Sequence, residues 1–179
     1  MPKRVINETG TRYRIEHEGA YLCTVRIVEK TTTNEGAITV VRVESYISYQ
    51  LYGVECTSNP GFYTVCALED HSLYINDFGL PPQMQHKGIG HFIWHKFYEI
   101  LNGYFPEKVI VSGKLSFVDE RGNNAFYRNR LWRDLIGFGK VEGAIFELYE
   151  DSDIGGCFEG LIQDPWDPAL SKLDIVEVH

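Results

Sequence analysis

Alternation of apolar and polar positions governs the first third of the chain. Ala20 to Val28 and Ala37 to Ser48 are rich in Val, Ile, Thr and Tyr with partial every-other-residue patterning. This predicts two strands joined by the polar, turn-like segment Lys30 to Gly36. Tyr13 to Ile15 adds a third, so the reading is an antiparallel hairpin or meander. Gln50 to Gly61 resists assignment apart from the turn cluster Cys56 to Gly61, and Phe62 to Leu68 is again apolar and β-branched. Glu69, Asp70 and His71 then turn the chain into a further strand, Leu73 to Leu80. Successive strands with no helical stretch between them predict a sheet that begins antiparallel.

Beyond Pro81 and Pro82 the period changes. Ile89, Phe92, Ile93, Phe97, Ile100 and Leu101 recur at helical spacing, with His91, His95, Lys96 and Glu99 mostly on the other face and Asn102 and Gly103 as the stop. Val109 to Val111 reads as a buried strand parallel to Leu73–Leu80, completing a right-handed strand-helix-strand unit. Gly122, Asn123 and Asn124 cap a second predicted helix that carries Ala125, Phe126, Leu131, Trp132, Leu135 and Ile136 up to Gly137. Val141 to Leu148 reads as a closing strand and Leu173 to Val178 as an edge strand. Pro165, Trp166, Asp167 and Pro168 make a rigid, irregular segment between them.

Length and charge narrow the picture. The 179 residues fit one domain, 1–179, with a core unit at 72–138 and a closing strand and acidic tail at 139–179. No apolar run approaches the roughly 20 residues of a membrane helix, and Met1 to Gly10 has no signal-peptide core, so a cytoplasmic protein with no membrane partner is expected. Cys23, Cys56, Cys66 and Cys157 show no Cys-x-x-Cys pair and read as reduced, buried thiols. A net charge of -8 argues against a nucleic-acid surface and fits solubility or a cationic partner. His91 and His95 stand at metal-ligand spacing, but no third ligand follows in register, so no metal is expected and a solvated helix face is the reading.

The Pro-Pro break leads through Gln85, His86, Lys87, Gly88, Ile89 and Gly90 straight into the helix. Backbone N–H groups at a helix start, with glycines removing Cβ atoms, form a cradle for a phosphate. The pattern Gln85-x-x-Gly88-x-Gly90, preceded by Leu80 and Pro82, resembles the central signature of the GNAT superfamily of acyl-CoA-dependent N-acetyltransferases. The resemblance spans about 65 residues, Leu73 to Phe138.

This resemblance implies an α/β (α+β) fold: a bent mixed sheet, largely antiparallel, with a central parallel pair that splays, flanked by helices. Acetyl-CoA is the implied co-substrate. Its pantetheine arm would pair with the backbone near Phe78, Gly79 and Leu80, and its pyrophosphate would sit on the N–H groups of His86, Lys87, Gly88, Ile89 and Gly90. In the second helix, Asn123 or Asn124 would approach the arm and Tyr127 would protonate the leaving thiolate. The implied reaction is direct acyl transfer to a primary amine, with room for a homodimer.

Amide formation also needs a group that takes the amine's proton. Alternation puts Asp77 on the face of Leu73 and Ile75, where it is either a functional buried acid or a strand-end residue in solvent. Tyr127 is either the general acid or a core or interface aromatic. The acidic tail, with ten carboxylates from Glu142 onward against Lys172, either draws a cationic acceptor to the site or is solvated surface. The reading from a second class is a catalytically silent module of the same fold that retains or has lost CoA. A third is a partner-binding domain with no ligand.

Overall fold

The computed structural model describes residues 4–57, 62–67, 72–104, 110–114, 157–161, 164 and 166–179. Three long strands, β1 (Val5–His17), β2 (Ala20–Asn34) and β3 (Ala37–Leu51), open the chain. Short strands β4 (Val54–Thr57), β5 (Phe62–Ala67) and β6 (Ser72–Phe78) follow. A single 3-10 turn at Pro82–Met84 and helix α1 (Ile89–Tyr104) come next, then β7 (Ile110–Lys114), β8 (Cys157–Leu161) and β9 (Leu173–Val178).

The nine strands among the described residues belong to one sheet, ordered β8-β7-β6-β5-β3-β2-β1-β9, with β4 paired to the far end of β3. Every pairing is antiparallel except that of β6 with β7. The expected GNAT-like α/β sheet flanked by helices is therefore overturned: among the described residues the sheet is mostly antiparallel and α1 is the one α-helix. Among the described residues the parallel pair is also not central, with β8 alone beyond it.

The reason lies in the turns. Glu18–Gly19, Glu35–Gly36 and Tyr52–Gly53 each place two successive residues at positive φ, between 51° and 86°. Two left-handed residues in a row match the twist of the flanking strands and reverse the chain in two residues, which leaves no length for a connecting helix. Lys30 to Asn34, expected as turn, is therefore strand, its Thr31, Thr32 and Thr33 registered against β1 and β3. The tail strand Leu173–Val178 does lie at a sheet edge, beside β1.

Helix α1 covers one face. Ile89, Ile93, Trp94, Phe97 and Leu101 are fully or almost fully buried against Cys23, Val25, Ile27, Val41, Val43, Ile47, Leu73 and Ile75 in one core. Each such side chain contributes roughly 1.5–3 kcal/mol of burial. Burial pushes the Cys23 thiol up to about 12, so it stays protonated and inert, as its reading as a buried thiol required.

The opposite face of β1–β3 is charged. Glu44, almost buried there, receives Lys30 Nζ at 3.0 Å and the Tyr46 hydroxyl at 2.7 Å, with Arg42 Nε at 2.6 Å. Burial alone would raise the Glu44 pKa, but the hydrogen bonds from Tyr46 and Lys30 and the charges of Arg42 and Lys30 together outweigh it and hold the carboxyl below its ordinary value.

Candidate functional site

The chain from β6 into α1 is built of irregularities. Opposite β5, Tyr63 pairs with Asp77 and Thr64 with Ile75, so Asn76 is an extra residue that bulges the strand. Opposite β7, the pairs Leu73 to Val111, Tyr74 to Ser112 and Ile75 to Gly113 end at that same point. Among the described residues no strand pairs with Asn76, Asp77 or Phe78 on the β7 side. A bulge also breaks strict alternation. Strict alternation was the ground for placing Asp77 on the face of Leu73 and Ile75, and its side chain lies outside the described residues.

Past Gly79 and Leu80 the loop is held down at both ends. Met84 is buried in the core, and its N–H donates to the Pro81 carbonyl at 2.8 Å. The Gln85 N–H donates to the Pro82 carbonyl, and the Gln85 side-chain amide reaches back to the Leu80 carbonyl at 3.0 Å. His86 and Gly88 adopt left-handed backbone at φ 59° and 87°. For His86 this is an uncommon conformation, which the flanking ties must maintain. The Gly88 carbonyl accepts the first helical bond, from Phe92 N–H at 3.1 Å, so α1 begins at Ile89 and its first N–H groups have no acceptor within the helix.

Of the residues expected at the site, Phe78, Gly79, Leu80, Gln85, His86, Lys87, Gly88, Ile89 and Gly90 thus follow one another on a strand end, a braced loop and a helix start. Gln85 braces the loop with its side chain, a role that spacing alone did not suggest. Asn123, Asn124 and Tyr127, with their helix and the Val141 to Leu148 strand, lie outside the described residues.

His95 corrects the expectation of a solvated helix face. Its Nδ1 lies 2.7 Å from Asp164 Oδ2, the ring N–H donating, and its Nε2 lies 3.3 Å from Glu99 Oε1. Its ring stacks on Trp166, whose backbone N–H donates to the other Asp164 oxygen at 3.1 Å. Part of the acidic tail is therefore engaged with α1. No signal in the sequence links His95 with Asp164, because the contact joins a helix face to an irregular segment far along the chain.

Beside this pair is a cavity of about 350 Å³, walled by Tyr13, Phe92, His95, Lys96, Trp166 and Glu177 among others. Its inner wall includes Leu173, the side chain nearest to Gly88. Among the described residues no group of three or more His, Cys, Asp or Glu side chains is arranged to hold a metal ion. Nor is any helix among them long and apolar enough to cross a membrane. Comparison of the chain with protein-family models, with curated proteins and with solved structures returns no match.

Proposed function

We propose that the chain binds acetyl-CoA along β6 and the start of α1 and transfers the acetyl group to a primary amine. The observation that carries this reading is the coincidence at Asn76: the strand bulges, its pairing to β7 ends, and the chain then runs through a braced loop into a helix start. An extended ligand with amide groups can add to free strand backbone, and a pyrophosphate at its other end suits helix N–H groups. CoA combines both chemistries in one molecule. The sequence signature Gln85-x-x-Gly88-x-Gly90 supports the same ligand.

In this reading the backbone of Asn76 to Phe78 aligns the pantetheine arm, with an N–H beside the bulge facing the thioester oxygen as charge develops there. His86 to Gly90 hold the pyrophosphate, and Lys87 adds charge. The amine nitrogen attacks the thioester carbonyl, the C–S bond breaks, and the nitrogen loses a proton as the amide forms. Asp77 is the candidate to take that proton, directly or through water, and Tyr127 the candidate to give one to the departing thiolate.

Thermal unfolding with and without acetyl-CoA is the primary test. Saturating ligand at about 100 times its dissociation constant is expected to add roughly 2.7 kcal/mol. No stabilisation at millimolar acetyl-CoA would remove the reading. Release of free thiol across a panel of amines then tests transfer, with Tyr127→Phe expected to abolish turnover and retain CoA binding. Binding without thiol release from any amine identifies a catalytically silent module instead.

A further inference from the structure

We infer that the cavity between α1, β1 and the Trp166 segment is a binding site for a methylated ammonium group. This inference does not rest on the acetyl-CoA reading: a quaternary nitrogen has no proton to lose and no lone pair, so such a ligand is not the nitrogen acceptor of amide formation.

Part of the wall is aromatic, with its rings fixed to one another, and Leu173, Ile175 and Glu177 help to complete it. Tyr13 meets Phe92 edge to face at 5.3 Å between centroids, and Phe92 meets Trp166 in the same manner at 5.6 Å. His95 stacks on the outer ring of this series and is held by Asp164. The negative faces of such rings attract a cation, most strongly when it sheds water easily. The volume of about 350 Å³ is that of a small-ligand site.

The chain's own cation shows the preference. Lys96 Nζ stands 5.3 Å from the Tyr13 centroid and 5.9 Å from that of Phe92, at the rim of the cavity. It is bound to Glu99 at 2.7 Å. Lys96 and Glu99 also line a smaller adjoining cavity of about 140 Å³ with Glu29, so the ammonium has an acidic place to turn when a ligand enters.

The carboxylates decide between ammonium types. Asp164 is engaged by His95 and by the Trp166 N–H, and Glu99 by Lys96 and His95. Their charge still favours a cation but their oxygens are committed, and the one carboxylate among the described residues that lines the cavity itself, Glu177, is half-exposed and supplies charge from a single side. A primary ammonium needs several acceptors to replace its water, whereas a trimethylated one needs only charge and aromatic surface.

The test is ligand-observed NMR titration of the intact protein with choline, with ethanolamine and with the neutral isostere 3,3-dimethyl-1-butanol. Choline is expected to bind with a dissociation constant on the order of millimolar. The isostere and ethanolamine should each bind at least about fivefold more weakly. Tyr13→Leu and Trp166→Leu, each checked for an unchanged unfolding temperature, should weaken choline by about five- to tenfold, and Lys96→Met should tighten it. Equal binding of choline and the isostere would show an apolar hole without cation recognition. Ethanolamine matching choline, or no binding of choline by either wild type or Lys96→Met, would equally overturn the assignment.

Discussion

The β1–β3 meander and the β6–loop–α1–β7 unit are built by opposite means. In the meander each strand is joined to the next by two residues, pairing is between neighbours in sequence, and the strands run 13 to 15 residues. In the second unit the strands are 7 and 5 residues, the pairing is parallel, and it carries a bulge and a loop with two left-handed residues. The first region takes its register from long ladders between sequence neighbours, each of which shifts once, between Ile15 and Glu16 and between Thr32 and Thr33. The second has departures from regularity at each point where a ligand would touch backbone, and those departures depend on the first region as a foundation.

The largest test of that dependence is Phe97→Ala. Phe97 is fully buried in the single core that includes both regions. The substitution should cost about 3–5 kcal/mol in urea unfolding, with the whole transition moving as one. Two separated transitions would mean that the regions do not share a foundation.

A smaller effect, confined to the meander, is expected from Glu44→Gln, at about 2 kcal/mol, because a nearly buried acceptor of charged hydrogen bonds is weakened. The folded Glu44 pKa is lowered, so its contribution is fully present above the ordinary carboxylate pKa of about 4.3 and is lost as pH falls through the lowered value. Wild type should therefore lose more stability on acidification than the variant, read as unfolding temperature against pH. Parallel curves would dismiss the network.

The smallest effect sharpens the comparison most. Gly36→Ala and Gly88→Ala each force an L residue into left-handed backbone, costing about 1–2 kcal/mol. Gly36→Ala should leave stabilisation by acetyl-CoA intact, whereas Gly88→Ala should diminish it. Equal ligand response in the two variants would detach the loop from the proposed function.

What could be read from the residues follows the same division. The strands around Ala20 and Ala37 show in their β-branched alternation, and α1 shows in the recurrence of Ile89, Ile93, Phe97 and Leu101. The strand ends did not show, because Lys30 to Asn34 is polar yet sits in the ladder. The usable signal was Gly19, Gly36 and Gly53, one at each hairpin tip. The glycine loop was legible because its spacing is local. The bulge at Asn76 was not, since it depends on how β5 aligns with β6. The His95 to Asp164 contact depends on a tertiary meeting that no local pattern encodes. The two helices expected beside the sheet come from pattern: the first is α1, and the second, from Gly122 to Gly137, lies outside the described residues.

The pairing of β9 with β1 carries a consequence for how the molecule is made. β1 is made well before β9, so among the described residues the edge from Arg12 to His17 waits for its partner until Leu173 to Val178 arrive. Closing so distant a contact is slow, and an open edge invites other chains in the meantime. Aggregation of this protein should therefore be sensitive to the docking of β9, whose arrival also seats Leu173 beside Gly88 and closes the wall behind the glycine loop.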